Sequence, residues 1–127
     1  MIPFKKACNL FILLLFSVLV FHCCVLFQWI DFRNVWGGRL SSKKEMYVFE
    51  TVSICINAFL LYVVLQKASY VKQIFSSKFI QITLWVFVVL FGLNTIGNLL
   101  ANNIYEKTIG TILTFSSAYL CFVISKR

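Results

Sequence analysis

A small group of polar side chains interrupts the apolar runs of this sequence. The stretch FGLNTIGNLLANN, residues 91–103, places Asn94 and Asn98 four residues apart, so a helix would present both amides on one face. In another apolar run Glu50 is followed by Ser53 and Asn57, again at helical spacing. An ionisable residue within a membrane span must face the interior, pair or lose its charge, and is by default a candidate functional residue. Together these groups could bind a proton or a polar solute.

These polar groups are predicted to lie at one depth in a membrane. If the run containing Glu50 enters the membrane near Met46, its carboxylate lies about one turn below the surface. Asn98 and Asn94 would lie roughly 3 and 9 Å below the same surface, at about 1.5 Å per residue. The predicted pocket opens toward the outer side of the membrane and comprises Glu50, Asn57, Asn94, Asn98, Arg39 and Thr111.

Arg39 would reach this pocket from a loop. It follows a Gly-Gly pair at residues 37–38, which allows a tight turn and would direct the guanidinium toward the mouth of the pocket. Two simpler roles stay open. Glu50 could instead reach the headgroup region and pair there with Arg39. The amides could serve only as hydrogen bonds between helices, with Gly92 and Gly97 allowing close approach.

The histidine and the cysteines indicate neither a metal site nor a disulfide framework. The chain has one histidine, His22, which we expect to form a polar helix contact or to take up a proton rather than to bind zinc. The five cysteines are an odd number and all lie in apolar runs, which favours a packing role. They are Cys8, Cys23, Cys24, Cys55 and Cys121. No metal or other cofactor is therefore predicted.

The sequence carries no catalytic signature. It contains no Ser-His-Asp order, no Walker loop and no Rossmann fingerprint. A membrane enzyme would have to rely on Glu50, Asp31, Glu106 and Arg39 alone. An enzyme is therefore not expected.

The elements that would carry these residues are long apolar helices. Hydrophobic residues make up 61% of the 127 residues, well above the about 45–50% of a soluble domain. Four runs, residues 8–30, 46–66, 79–100 and 108–124, reach the roughly 17 to 25 residues that cross a bilayer. The first run is longer than the roughly 7 to 15 apolar residues of a secretory signal, so we interpret it as an uncleaved span. We predict an all-α integral membrane bundle of four antiparallel transmembrane helices, one domain over residues 1–127.

The charged residues predict the orientation of this bundle. With four spans, both termini and the loop 67–78 share one side, which holds seven Lys and Arg residues against five on the other side. The positive-inside rule places that side in the cytoplasm, across a cell membrane that we take to be a bacterial inner membrane. All four acidic residues then lie on the outer side. We assign the net charge of +8 to membrane insertion and anionic lipids, and expect no nucleic-acid binding.

Three stretches of the sequence carry a family resemblance. VWGGRL, EMYVFE and LNTIGNLLANNIYEK, lying between Val35 and Lys107, resemble a group of small four-span bacterial membrane proteins that are uncharacterised. The resemblance implies no activity. It suggests that the outer loop, the start of the second span and the end of the third belong together, in agreement with the depth comparison.

The functional prediction is a non-catalytic membrane component or accessory subunit. Its partners would be the lipid bilayer and either a second copy of the chain or a larger membrane protein. The alternative is a small carrier or receptor for a polar solute or proton that uses the outward-facing pocket. The two hypotheses differ at Glu50 and Asn98, which would hold helices together in the first and carry a solute- or pH-dependent response in the second.

Overall fold

The computed structural model describes residues 2–31 and 41–127, and over these residues the protein is all-helical, with no strand. The α-helices of this part of the chain are α1 (Phe4–Leu26), α2 (Lys43–Lys67), α3 (Ser77–Leu99) and α4 (Thr111–Ser125). A π-helical stretch, Glu106–Gly110, leads directly into α4. Counting that stretch with α4, the four helices have 23, 25, 23 and 20 residues and are long and apolar enough to cross a membrane. The predicted all-α class with four candidate spans is confirmed.

The first helix begins and ends four residues earlier than the apolar run 8–30. Pro3 stands at its N-cap, and the Pro3 carbonyl accepts a hydrogen bond from the N–H of Ala7 at 2.9 Å. Proline suits a helix start because it has no N–H to be left unpaired. At the other end Gln28 takes a left-handed conformation, with φ of 65°. This turn ends the helix although residues 29–30 continue the apolar run.

Serine side chains cap the first turns of α2 and α3. The Oγ atom of Ser42 accepts a hydrogen bond from the N–H of Glu45 at 3.2 Å, and the Glu45 carboxylate accepts one from the hydroxyl of Ser41 at 2.8 Å. Ser76 accepts in the same way from the N–H of Phe79 at 3.1 Å. These bonds satisfy backbone donors that a first turn leaves without a helical partner. Both helices therefore begin at a polar boundary.

The contacts between helices define two ends of the molecule. α1 packs mainly on α2 and also on α4, α3 packs mainly on α4, and α2 touches α3 over few residues. Tyr70, just after α2, donates a hydrogen bond to the side chain of Asn9 near the start of α1. Gln81, near the start of α3, donates to the carbonyl of Ser125 at the end of α4. We call the end that holds these contacts the terminal end, and the end where α1 leads to α2 and α3 leads to α4 the loop end.

The apolar core lies in the half of the molecule nearest the terminal end, here called the terminal half. Phe11 of α1, Leu60 of α2 and Leu84 of α3 are fully buried in one cluster. Its other buried members are Ala7, Cys8, Leu15, Val63, Val64, Ile80, Phe87, Leu120, Cys121, Val123 and Ile124. In the half nearest the loop end, the loop half, a second cluster consists of Val25 and Met46 with their neighbours. Apolar packing is therefore concentrated at one end.

A buried amide secures the connection between α2 and α3 in the terminal half. Gln66 is 1% exposed, and its Oε1 atom accepts hydrogen bonds from the N–H groups of Ile74 and Phe75 at 2.8 and 2.9 Å. The ring of Phe75 contacts those of Phe59 and Phe79, with centroids 6.0 and 5.1 Å apart. These contacts hold the loop against the helices that it joins.

Candidate functional site

A histidine–carboxylate pair joins α1 to α2 in the loop half. The Nδ1 atom of His22 lies 2.6 Å from Oε2 of Glu50, a short hydrogen bond. The Glu50 side chain is fully buried, whereas that of His22 is 14% exposed. An acid in an apolar environment is costly without a partner. The imidazole therefore explains how this helix accommodates a carboxyl group.

Two buried apolar side chains lie about one helical turn from the pair, toward the loop end. Val25, three residues after His22, and Met46, four residues before Glu50, are both fully buried and form one cluster. The partly buried residues packed against them are Leu26 and Ile30. The described residues within about one turn of the pair toward the loop end therefore include buried apolar side chains.

A second polar contact joins α3 to α4 in the loop half. The Oγ1 atom of Thr114 lies 3.0 Å from Oγ1 of Thr95 and 3.4 Å from Nδ2 of Asn98. The Thr114 hydroxyl also donates to the carbonyl of Gly110 at 2.8 Å. A hydroxyl can donate one hydrogen bond and accept two, so Thr114 is the centre of this contact.

Gly110 gives Asn98 the space to reach this position. A β-carbon at Gly110 would lie 2.6 Å from the Oδ1 atom of Asn98, which is inside contact distance. Gly110 also ends the π-helical stretch, and single π turns recur at functional positions in helices. β-Carbons at Gly92 and Gly97 would meet no atom of the described chain within 4 Å. No other helix of the described chain therefore approaches α3 closely at these two glycines, contrary to the expectation from the sequence.

The structure places four of the predicted pocket residues in separate contacts. Glu50 is hydrogen-bonded to His22 between α1 and α2, and Asn98 is hydrogen-bonded to Thr114 between α3 and α4. Asn57 and Thr111 each donate to a backbone carbonyl four residues earlier in the chain. Three of them lie in the loop half, whereas Asn57 lies just past the midpoint of α2 on the terminal side. A common pocket that contains them remains a prediction.

The other two predicted residues are Asn94 and Arg39. Asn94 is exposed on the surface of α3. It precedes the end of that helix at Leu99 by five residues, which is about 8 Å of helical rise. Arg39 lies outside the described residues, so its approach to Glu50 remains a prediction.

The pairing of His22 with Glu50 is the site feature that sequence reasoning missed. An apolar run extending to Ile30 puts His22 about 12 Å below the membrane surface, about one helical turn deeper than Glu50. Because α1 ends at Leu26, His22 is only about 6 Å from the helix end. The available signal was chemical, since an acid within a span needs a polar partner and the neighbouring span holds the chain's single histidine.

Inside the bundle, the imidazole of His22 and the carboxyl group of Glu50 can share one proton in their hydrogen bond. Between α3 and α4, the hydrogen bonds to Thr114 fix the positions of an amide and a hydroxyl group. The described residues contain no group of three or more His, Cys, Asp or Glu side chains placed to hold a metal ion. The five cysteines are free thiols, of which Cys8 and Cys121 are buried in the core.

Comparisons of this chain with protein-family models, curated proteins and solved structures found no match.

Proposed function

We propose that the chain is a non-catalytic multi-pass membrane component, an antiparallel four-span bundle in the cell membrane with both termini in the cytoplasm. Four helices of sufficient length and apolarity support insertion. The distribution of charge supports the orientation, because seven of the twelve Lys and Arg residues lie at the terminal end and all four acidic residues lie toward the loop end. The basic residues are Lys5, Lys6, Lys67, Lys72, Lys78, Lys126 and Arg127.

Cysteine labelling tests this orientation. In a chain whose five native cysteines are replaced by Ala or Ser, Asn102→Cys should react with a membrane-impermeant maleimide on intact cells. Lys126→Cys should react only after the membrane is made permeable. Asn102 and Lys126 are both exposed, so accessibility within the protein does not limit either reaction. The reverse pattern would contradict the proposed orientation.

The proposed role of this component is self-association in the bilayer through α3, and the observation that carries it is the exposure of Asn94. An amide about 8 Å inside the end of a span is costly against lipid, where no water satisfies it. A second copy supplies a matching group, because one amide offers both hydrogen-bond donors and an acceptor. Gly97 lies three residues further along the helix, and its open surroundings allow the backbone of a second helix to approach.

Dimerisation measured in lipid bilayers tests this role. Asn94→Leu should weaken association of the full chain by about 3- to 20-fold, the range expected from the loss of one hydrogen bond between membrane helices. Asn102→Leu removes an exposed amide beyond the end of α3 and is the matched control, expected to leave association unchanged. Single-molecule photobleaching at several protein-to-lipid ratios gives the monomer and dimer fractions. A monomeric wild type, or equal effects of the two substitutions, would refute self-association through Asn94.

A second candidate function is favoured by the pair of His22 and Glu50. A carboxyl group bonded to an imidazole inside a membrane span suits a small carrier or receptor for a proton or a polar solute, because such groups mark proton and solute pathways in membrane proteins. In this role the chain would respond to a proton gradient or a solute, and the pair would be essential.

Proton flux into liposomes that contain the purified chain tests the carrier function. Glu50→Gln should abolish the flux, since the amide keeps a hydrogen bond to His22 but takes up no proton. Glu45→Gln is the matched control, because it neutralises a partly exposed acid at the start of the same helix and an amide can replace it in the cap. Equal fluxes in wild type, Glu50→Gln and empty liposomes would exclude a proton carrier.

A further inference from the structure

The terminal end carries a cleft of about 230 Å³ that neither proposed role uses. Its walls come from five parts of the chain: the start of α1, the end of α2, the following loop, the start of α3 and the end of α4. The lining residues are Phe4, Lys67, Gln73, Ser77, Ile80 and Arg127. The cleft therefore exists only when all four helices are packed together.

The charge of this cleft is positive and is not balanced by any acidic side chain. Lys67 and Arg127 supply two cations to its lining. The chain has four acidic residues, and none of them lines the cleft or belongs to the terminal end. They are Asp31, Glu45, Glu50 and Glu106. Lys5 and Lys126 add further positive charge at the same end, each close to an aromatic ring. Such a concentration of one sign of charge attracts an anion.

Lys67, Arg127 and Ser77 can offer hydrogen-bond donors to the cleft. The guanidinium of Arg127 lies 5.0 Å from the ring centroid of Phe4, a cation–π contact that restricts its position. The amide of Gln73 donates to the Oγ atom of Ser77 at 3.2 Å. Because that oxygen accepts from Gln73, the hydroxyl hydrogen of Ser77 can point into the cleft. Ser77 is also the first residue of the 23-residue helix α3, where the helix dipole favours negative charge.

We propose that this cleft binds the phosphate group of an anionic phospholipid headgroup in the leaflet next to the terminal end. Arginine offers a planar fork that matches phosphate oxygens, and lysine adds a compact charge. Phe4 and Ile80 form apolar walls beside the cations, as a headgroup with attached acyl chains requires. The inference rests on the proposed membrane insertion but not on self-association through Asn94 or on proton transfer at Glu50.

Native mass spectrometry of the full chain, purified in mild detergent, measures lipid binding directly. The wild type should retain phosphatidylglycerol and bind it at least tenfold more tightly than phosphatidylcholine of the same acyl chains. The double variant Lys67→Gln, Arg127→Gln should bind phosphatidylglycerol about 30-fold more weakly, as expected for the loss of two cation contacts. Phosphatidylcholine binding should not change.

The matched control is Lys72→Gln, Lys78→Gln, which removes the same charge from exposed residues at the same end but outside the cleft lining. It should lower the affinity for phosphatidylglycerol by less than threefold. Equal losses in the two double variants would overturn the proposal, because they would indicate diffuse attraction to the whole basic end. Circular dichroism and the elution volume in detergent verify that both variants are folded.

Inorganic phosphate, added at millimolar concentration to the same samples, separates a lipid from a soluble ligand. A lipid site should keep its phosphatidylglycerol at this concentration, since the acyl chains add contacts that free phosphate lacks. The lipid assignment would be overturned if inorganic phosphate displaced phosphatidylglycerol and the chain bound phosphatidylglycerol no more tightly than phosphatidylcholine. If the chain instead fails to enter liposomes and elutes without any lipid, membrane insertion itself is refuted. This result differs from a loss of phosphatidylglycerol binding that is confined to the variant Lys67→Gln, Arg127→Gln.

Discussion

The terminal half and the loop half of the bundle are held together by different forces. In the terminal half, fully buried apolar side chains of all four helices form one cluster. In the loop half, the described residues form polar contacts within each helix pair, among them His22 with Glu50 in one and Thr114 with its neighbours in the other. Hydrogen bonds also occur at the terminal end, such as that from Tyr70 to Asn9, but the large apolar cluster is found in the terminal half alone among the described residues.

This division follows from the solvent of the proposed membrane protein. Lipid tails are as apolar as leucine, so helices associate through close packing and hydrogen bonds rather than through the hydrophobic effect. Close packing in the terminal half needs complementary shapes from all four helices. Polar contacts in the loop half need only matched partners, and each fixes the depth of one helix against its neighbour. The terminal half therefore holds most of the buried apolar contacts of the described residues, and the polar contacts of the loop half add specific pairing.

The largest expected effect comes from removing one member of the buried pair. His22→Leu should lower the free energy of unfolding by about 3 to 5 kcal/mol, because it leaves Glu50 in the bundle without its imidazole partner. The double variant His22→Leu, Glu50→Leu should recover most of this loss, since it removes the buried carboxyl group together with its imidazole. Unfolding in mixed micelles, followed by circular dichroism, gives both values. A double variant as unstable as the single one would mean that the pair is not the source of the cost.

An intermediate effect is expected in the terminal half. Leu84→Ala should cost about 2 kcal/mol, near the lower end of the range for buried leucines, because a side chain leaving the core here enters lipid rather than water. Leu93→Ala on the same helix is the control, since Leu93 is 60% exposed, and it should change stability by less than about 0.5 kcal/mol. The same unfolding assay applies. Similar losses at both positions would contradict a core confined to buried residues of the terminal half.

The smallest expected effect tests the contact between α3 and α4. Gly110→Ala should cost about 1 kcal/mol, because the new β-carbon displaces the Asn98 side chain from Thr114, and this loss outweighs the higher helix propensity of alanine. In an Asn98→Ala background the same substitution should become stabilising. Thermal unfolding of the four variants forms a double-mutant cycle. No coupling between the two positions would show that Asn98 does not occupy the space beside Gly110.

Much of the fold could be predicted from the sequence because its signal is local. Runs such as 46–66 and 79–100 are long enough to specify helices by length and apolarity alone, and the observed helices α2 and α3 include nearly all of these residues. The residue at which α1 ends could not be predicted from length and apolarity. It depends on the left-handed conformation of Gln28, whereas the residues beside it remain as apolar as a span.

The candidate site was less predictable because it depends on depth and on pairs of helices. Four residues of error at the end of α1 correspond to about 6 Å, enough to separate His22 from Glu50. Composition does not say which helices pack together, so Glu50 and Asn98 could be expected at one depth but not assigned to different pairs. The cleft at Lys67 and Arg127 has no local signal, since its walls come from parts of the chain far apart in the sequence.

The π-helical stretch at Glu106–Gly110 has a consequence for how this chain can change in length. A π turn contains about one residue more than an α turn, so deleting one residue within the stretch would leave a regular α-helix. Residues of α4 would keep their register against α3, while Ile104 and Tyr105 would rotate by about 100° around the helix axis. This short segment is therefore where the fourth span can gain or lose a residue while the core at the opposite end stays in place.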